Sequence, residues 1–143
     1  MTTINRSVLL PYAIEDIYRL INEVEAYPQY MDGCVGAEIL NQSAATMEAR
    51  LDLSKAGINH SLTTRNSLQA PTSVKMALVD GPFSFFSGEW QLQSLNEQAC
   101  KVTLNLEFSI ENRVLSIAAK KLFNPMADNL VDAIVRRAKQ VCN

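Results

Sequence analysis

The stretch RVLSIAAKKLFNPMADNLVDAIVRRAKQV, residues 113–141, decides how the rest of the chain is read. Leu115, Ala118, Leu122, Met126, Leu130, Ile134 and Ala138 recur at three- and four-residue steps, the spacing of one helical face. Lys120, Lys121, Asp128, Asp132, Arg136 and Lys139 fall outside that stripe, so the spacing predicts one long amphipathic helix. Pro125 lies inside it. Proline removes one backbone hydrogen bond and crowds the preceding turn, so a kink is expected near residues 121–124. One helix cannot cover both faces of a large sheet. A sheet that meets it must curve around it, and the space between them is either a packed core or a cavity.

The preceding segments read as that sheet. Residues 99–110 alternate most cleanly, with Val102, Leu104, Leu106, Phe108 and Ile110 on one face and Lys101, Thr103, Asn105, Glu107 and Ser109 on the other. Residues 45–54 place Met47, Ala49, Leu51 and Leu53 inward, and residues 73–79 place Val74, Met76 and Leu78 inward. Phe86, Trp90 and Leu92 share a parity in residues 84–95, and Ile58 and Leu62 share one in residues 58–68. Residues 33–40 read as a further strand led by Val35, Ala37 and Ile39, and residues 3–10 as the first. One-sided alternation means antiparallel strands with one wet face. Between the first two strands, Ile14, Ile17, Tyr18 and Ile21 form a short helical face, and Pro28 interrupts it, so residues 25–31 read as a short second helical piece or a turn. The order is α+β, with about seven strands, within one domain of residues 1–143.

Several function classes fall away on composition and motifs. A net charge of −2 supplies no global field towards DNA or an anionic membrane. The three cysteines form no C-x-x-C pair, which argues against a zinc site and for a reducing compartment. The N-terminus carries no signal or transit pattern, and no apolar run is long enough to span a bilayer, so a cytoplasmic location is expected. The one histidine, His60, lies in a polar stretch and reads as an exposed strand residue with no metal-ligand partner nearby. Cys34 reads as a partly buried, inert thiol. Glu48, Asp52, Glu15 and Asp16 fall on outer faces or at helix starts, where carboxylates are solvated and unsuited to general acid–base work. No catalytic residue is assigned. The segment from Val79 to Phe86 crowds three phenylalanines beyond a Gly81-Pro82 turn, and alternation can bury only some of them. Either the loop folds onto its own core, or Phe83 or Phe85 stands at an apolar rim, through which Phe83 and Phe85 are the candidates for transient membrane contact.

The order of elements is similar to the START-like, helix-grip superfamily of polyketide cyclase and lipid-transfer domains. Closer motifs are Val8-Leu9-Leu10-Pro11-Tyr12, Tyr27-Pro28-Gln29-Tyr30 with Gly33-Cys34, Ser54-Lys55-Ala56-Gly57-Ile58, Thr63-Thr64-Arg65-Asn66, and Val79-Asp80-Gly81-Pro82-Phe83 followed by Gly88-x-Trp90. In this order they resemble the bacterial RatA-type ribosome-association toxins and their relatives, the coenzyme Q-binding proteins of respiratory membranes. The resemblance implies a non-enzymatic protein with a deep apolar cavity between sheet and helix. On the coenzyme Q side it implies binding of ubiquinone or a similar polyprenyl lipid in support of respiration. On the RatA side it implies binding of the large ribosomal subunit and a block on subunit association.

Common parity and the resemblance together nominate Leu62, Met76, Phe86, Trp90, Leu104, Leu106, Phe108, Ala118, Leu122 and Met126 as ligand-binding residues. Lys120, Lys121, Arg136 and Arg137 are the clustered basic residues nominated for a ribosomal contact. The leading expectation is the apolar-ligand binder. The alternative is the ribosome-directed translation inhibitor, and an aromatase or cyclase on the same fold ranks last because the inward faces lack acid–base groups.

Overall fold

A computed structural model describes residues 2–55, 57–110 and 113–142, with residues 113–116 and 118–122 described by backbone alone. Strands β1 (Thr2–Leu10), β2 (Cys34–Gln42), β3 (Thr46–Lys55), β4 (Ile58–Gln69), β5 (Ser73–Asp80), β6 (Phe85–Asn96) and β7 (Ala99–Ser109) form one antiparallel sheet. Its order is β1-β7-β6-β5-β4-β3-β2. Thus β2 to β7 follow one another as a meander of short turns, while β1 pairs with β7 from Thr2↔Phe108 to Leu10↔Cys100. Between β1 and β2 the chain crosses from one edge of the sheet to the other. Helix α1 (Ile14–Asn22) and a 3-10 helix over Val24–Gln29 make that crossing.

Helix α1 is amphipathic, burying Ile14, Ile17, Tyr18, Leu20 and Ile21, with Glu15 and Asp16 in its first turn, where the helix dipole favours carboxylates. The Tyr18 hydroxyl donates to the Ser73 carbonyl at 2.9 Å and fastens α1 to the start of β5. Helix α2 (Arg113–Val141) runs without a break through Pro125 and lies against the inner face of the sheet. Its buried residues are Phe123, Ala127, Val131, Ala133, Ile134 and Ala138. The stripe around Pro125 is therefore centred on Phe123 and Ala127, with Met126 and Leu130 half-buried on its flank, rather than on Met126 and Leu130 themselves. Arg6 of β1 holds the other flank, donating to the Asp128 carbonyl and pairing with the Asp132 carboxylate at 3.0 Å.

Register shifts lie at Cys34/Gly36, Ile39/Asn41, Thr63/Thr64 and Ser94/Asn96. Bulges bend a strand and increase its twist, which is how a sheet curls around one helix. The first of them changes an expected parity. Cys34 and Ala37 both face inward across it, and Val35, expected inside, points outward at 64% exposure. Among the described residues, no helix is long and apolar enough to cross a membrane.

Candidate functional site

Between the concave face of the sheet and α2 lies a cavity of about 110 Å³. Its floor follows the sheet register. One row of cross-strand partners runs through Leu106 of β7, Gly88 of β6, Met76 of β5, Asn66 of β4 and Met47 of β3, of which Leu106, Met76 and Asn66 line the cavity. Glycine is required within this row. A Cβ on Gly88 would stand 2.7 Å from both the Leu106 Cδ2 and the Met76 Cε, so the two side chains close over bare backbone there. Gly33 plays a second such part at the rim. Its φ is +88°, and a Cβ on it would lie 2.6 Å from Met126 Cε, so it admits the α2 methionine against the chain entering β2.

Of the nominated ligand-binding residues, Leu62, Met76, Phe86, Trp90, Leu106, Phe108 and Met126 line this one cavity. Leu104 does not. It is fully buried within the packed core, because its position in β7 falls where the core is closed. The side chains of Ala118 and Leu122 lie outside the described residues. The wall also holds Tyr27, Met31, Cys34, Thr64, Asn66 and Phe123, which were not nominated. Thr64 and Asn66 could have been found. Leu62 faces inward, so alternation carries residues 64 and 66 inward with it, but their polar side chains hide the pattern.

Phe83 is not at an exposed rim. Its ring packs against Phe86 at 5.3 Å, Phe108 at 5.5 Å and Phe123 at 4.7 Å, closing one end of the cavity with aromatic contacts. Proline at position 82 turns the chain back over its own core. Phe85 alone of this pair points out, at 42% exposure. His60 likewise faces inward, half-buried with its ring 5.9 Å from Phe123, because it shares the parity of Leu62.

Among the described residues, no carboxylate, lysine, arginine or histidine lines the cavity, and no group of three or more His, Cys, Asp or Glu could hold a metal. Its polar groups are Asn22, Thr64 and Asn66, with the phenol of Tyr27, the thiol of Cys34 and the indole of Trp90. Burial pushes the Cys34 thiol up, away from a reactive thiolate. Burial also raises Tyr27, whose hydroxyl donates to the Ile21 carbonyl, and pushes Tyr30 up to about 12. Raised phenols stay protonated in the fold more readily than in the unfolded chain. Their stabilisation is complete below the ordinary tyrosine value of about 10 and is lost as pH climbs through the folded values. Thermal melts across this range should therefore show a fall in midpoint that begins near pH 10 and is blunted in Tyr27→Phe.

Beside the cavity runs a small groove that shares Met31, Met126 and Leu130 with it. Asp32, Lys55, Asn129 and Arg136 are its polar residues, and the Lys55 Nζ meets the Asp32 carboxylate at 2.9 Å. Arg136, nominated as a solvated basic residue, is exposed there. Arg137 departs from that expectation. Its guanidinium lies 5.1 Å over the Tyr30 ring and donates to Gln29 Oε1 at 3.2 Å, because its helical position turns it towards the 3-10 helix. The side chains of Lys120 and Lys121 lie outside the described residues.

A bent antiparallel sheet closed over a long C-terminal helix, with an apolar cavity between them, defines a START-like, helix-grip domain. Residues 10–135 match the family described as polyketide cyclase / dehydrase and lipid transport, and the chain belongs to it, within the group of RatA ribosome association toxins. The Vibrio cholerae protein named ribosome association toxin RatA is 44% identical over 99% of this chain and 98% of its own length. The Escherichia coli persistence and stress-resistance toxin PasT is 41% identical over 99% of this chain and 89% of its own length. Among solved structures, the Zhui aromatase/cyclase of a Streptomyces species superposes with a TM-score of 0.86 at 14% identity, covering 99% of this chain and 96% of that one. A START superfamily protein of Mycobacterium smegmatis gives 0.80 at 21% identity, covering 97% and 98%. At such identities the two structures establish the fold.

Proposed function

We propose that this chain is a non-enzymatic protein that associates with the large ribosomal subunit in the cytoplasm and hinders its joining to the small one. The observation that carries this reading is the 44% identity to a protein named for ribosome association, sustained over 99% of the chain. The described cavity wall has no carboxylate, lysine, arginine or histidine, and burial raises its Tyr27 phenol and Cys34 thiol, which supports binding over catalysis. Co-sedimentation with purified large subunits tests it. The protein should pellet with them at low salt and dissociate steeply as salt rises, because contacts to phosphates release counterions. No co-sedimentation at low salt would end this reading.

The cavity favours a second, compatible reading, in which it holds a small apolar ligand. An apolar cavity of about 150 Å³ admits benzene. The present 110 Å³ is smaller, so it takes about one ring at most, and a longer tail would extend towards the groove that shares Met31, Met126 and Leu130 with the cavity. A ubiquinone or other polyprenyl lipid would bind on those conditions, and a role in respiration follows only if the ligand is a quinone. Organic extraction of the purified protein followed by mass spectrometry should return a bound apolar compound. Leu106→Trp, which grows a larger side chain into the cavity, should abolish its recovery while leaving the fold intact. Equal recovery from both proteins would place the compound elsewhere.

A further inference from the structure

We propose that Asn66 is the specificity-determining residue of the cavity, and that its side-chain NH₂ selects a compact, neutral, apolar ligand bearing one hydrogen-bond-accepting oxygen of the carbonyl or ether kind. The inference rests on the reading of the cavity as a ligand site. Asn66 is 6% exposed, faces inward from the middle of β4 and lines the cavity. The Thr64 hydroxyl, also buried, donates to its Oδ1 at 2.9 Å. That bond occupies the acceptor end of the amide and orients the donor end. The one side-chain hydrogen bond Asn66 makes among the described residues is this one at Oδ1, which leaves its Nδ2 free to face the cavity it lines.

An inward strand position in an apolar wall is ordinarily filled by a residue such as Leu62, two places earlier on the same strand. An amide there loses its hydration and gains nothing unless something in the cavity pairs with it.

The charge of the ligand follows from the same wall. With no lysine, arginine or histidine on it among the described residues, a carboxylate or phosphate would be buried without a counterion. A neutral oxygen acceptor satisfies the amide without that cost. The cavity's 110 Å³ limits the part near Asn66 to about one ring. Thr64 is then a positioning residue, holding the amide so that its donors meet the ligand.

The test uses two probes of matched size that differ only at one carbon, butyrophenone and butylbenzene. Each is titrated into the full chain while Trp90, which lines the same cavity, reports binding by its fluorescence. The wild-type protein should bind the ketone at least as tightly as the hydrocarbon, although the ketone is the better hydrated in water. Asn66→Leu should weaken the ketone roughly tenfold or more while leaving butylbenzene unchanged or tighter. Thr64→Val should weaken the ketone alone, by less. If Asn66→Leu overpacks and fails to fold, Asn66→Val supplies the same comparison.

Unchanged ketone affinity in the Asn66 variant, or equal losses for both probes, would overturn the proposal. Wild-type binding of butylbenzene without the ketone would also overturn it while leaving the cavity a ligand site. Binding of neither probe would remove the cavity reading, and this proposal with it.

Discussion

Ile134→Asp is expected to leave the chain without a cooperative folded state, whereas Ile117→Asp should shift the thermal midpoint little. Both residues lie on α2, but Ile134 is 1% exposed and Ile117 is 65% exposed. Ile134 stands in the buried stripe with Val131 and Ala138, where the helix meets the sheet. A carboxylate there finds no counterion, and the penalty exceeds the roughly 4–5 kcal/mol that marks exceptional single substitutions. That is comparable with the whole stability of a small domain, about 5–15 kcal/mol. Ile134→Ala removes the same contacts without adding charge and should cost about 2–5 kcal/mol. Circular dichroism during urea titration separates the three variants. A wild-type transition in Ile134→Asp would mean that α2 does not dock on the sheet.

Reversing Lys120, Lys121 and Arg136 together to Glu is expected to abolish co-sedimentation with large ribosomal subunits while leaving the melting curve near that of the parent. Each reversal replaces a phosphate-seeking cation by a repelling anion, so three act strongly on a contact governed by counterion release. Arg137 belongs in a separate variant, because its guanidinium packs on Tyr30 and its loss would confound surface charge with packing. The outer face of α2 is not uniformly basic. Asp128 and Asp132 interrupt it, and both are engaged by Arg6. Undiminished co-sedimentation of the triple variant would move the contact to another surface. Phe85, exposed beyond the aromatic end of the cavity, would be the next residue to change.

The legible and illegible parts of this fold divide along physical lines. In β7, side-chain polarity and strand parity agree at every inward position from Val102 to Phe108, so the inward face of this strand could be anticipated, although its pairing with β1 and β6 could not. Helix α2 could be recognised as amphipathic, but its buried face is shifted to Phe123 and Ala127 near Pro125, a change that depends on local helix geometry. In β4, Thr64 and Asn66 break the agreement between polarity and parity, so the polar part of the cavity wall stayed hidden. A bulge defeated the reading of Val35, since one extra residue reverses the parity of everything beyond it. Alternation alone could not say which of Phe83 and Phe85 would be exposed, because Phe83 is held in by three rings that come together only in the tertiary structure, while His60 was misplaced because it is a polar type at an inward position.

The pairing of β1 with β7 has a consequence for biosynthesis. Thr2 aligns with Phe108, which is synthesised only after β2 to β6 and most of β7 have been made. The first strand must therefore wait, unpaired, while the meander assembles from the other side. Distant pairings of this kind slow folding, since loop-closure entropy is lost before any contact forms to offset it. A polypeptide interrupted before β7 would hold neither the partner of its first strand nor the helix that covers the concave face. For a protein proposed to act on ribosomes, this delays competence until β7 and α2 have been made, so a nascent copy that lacks them is expected to be inert towards the particle that is making it.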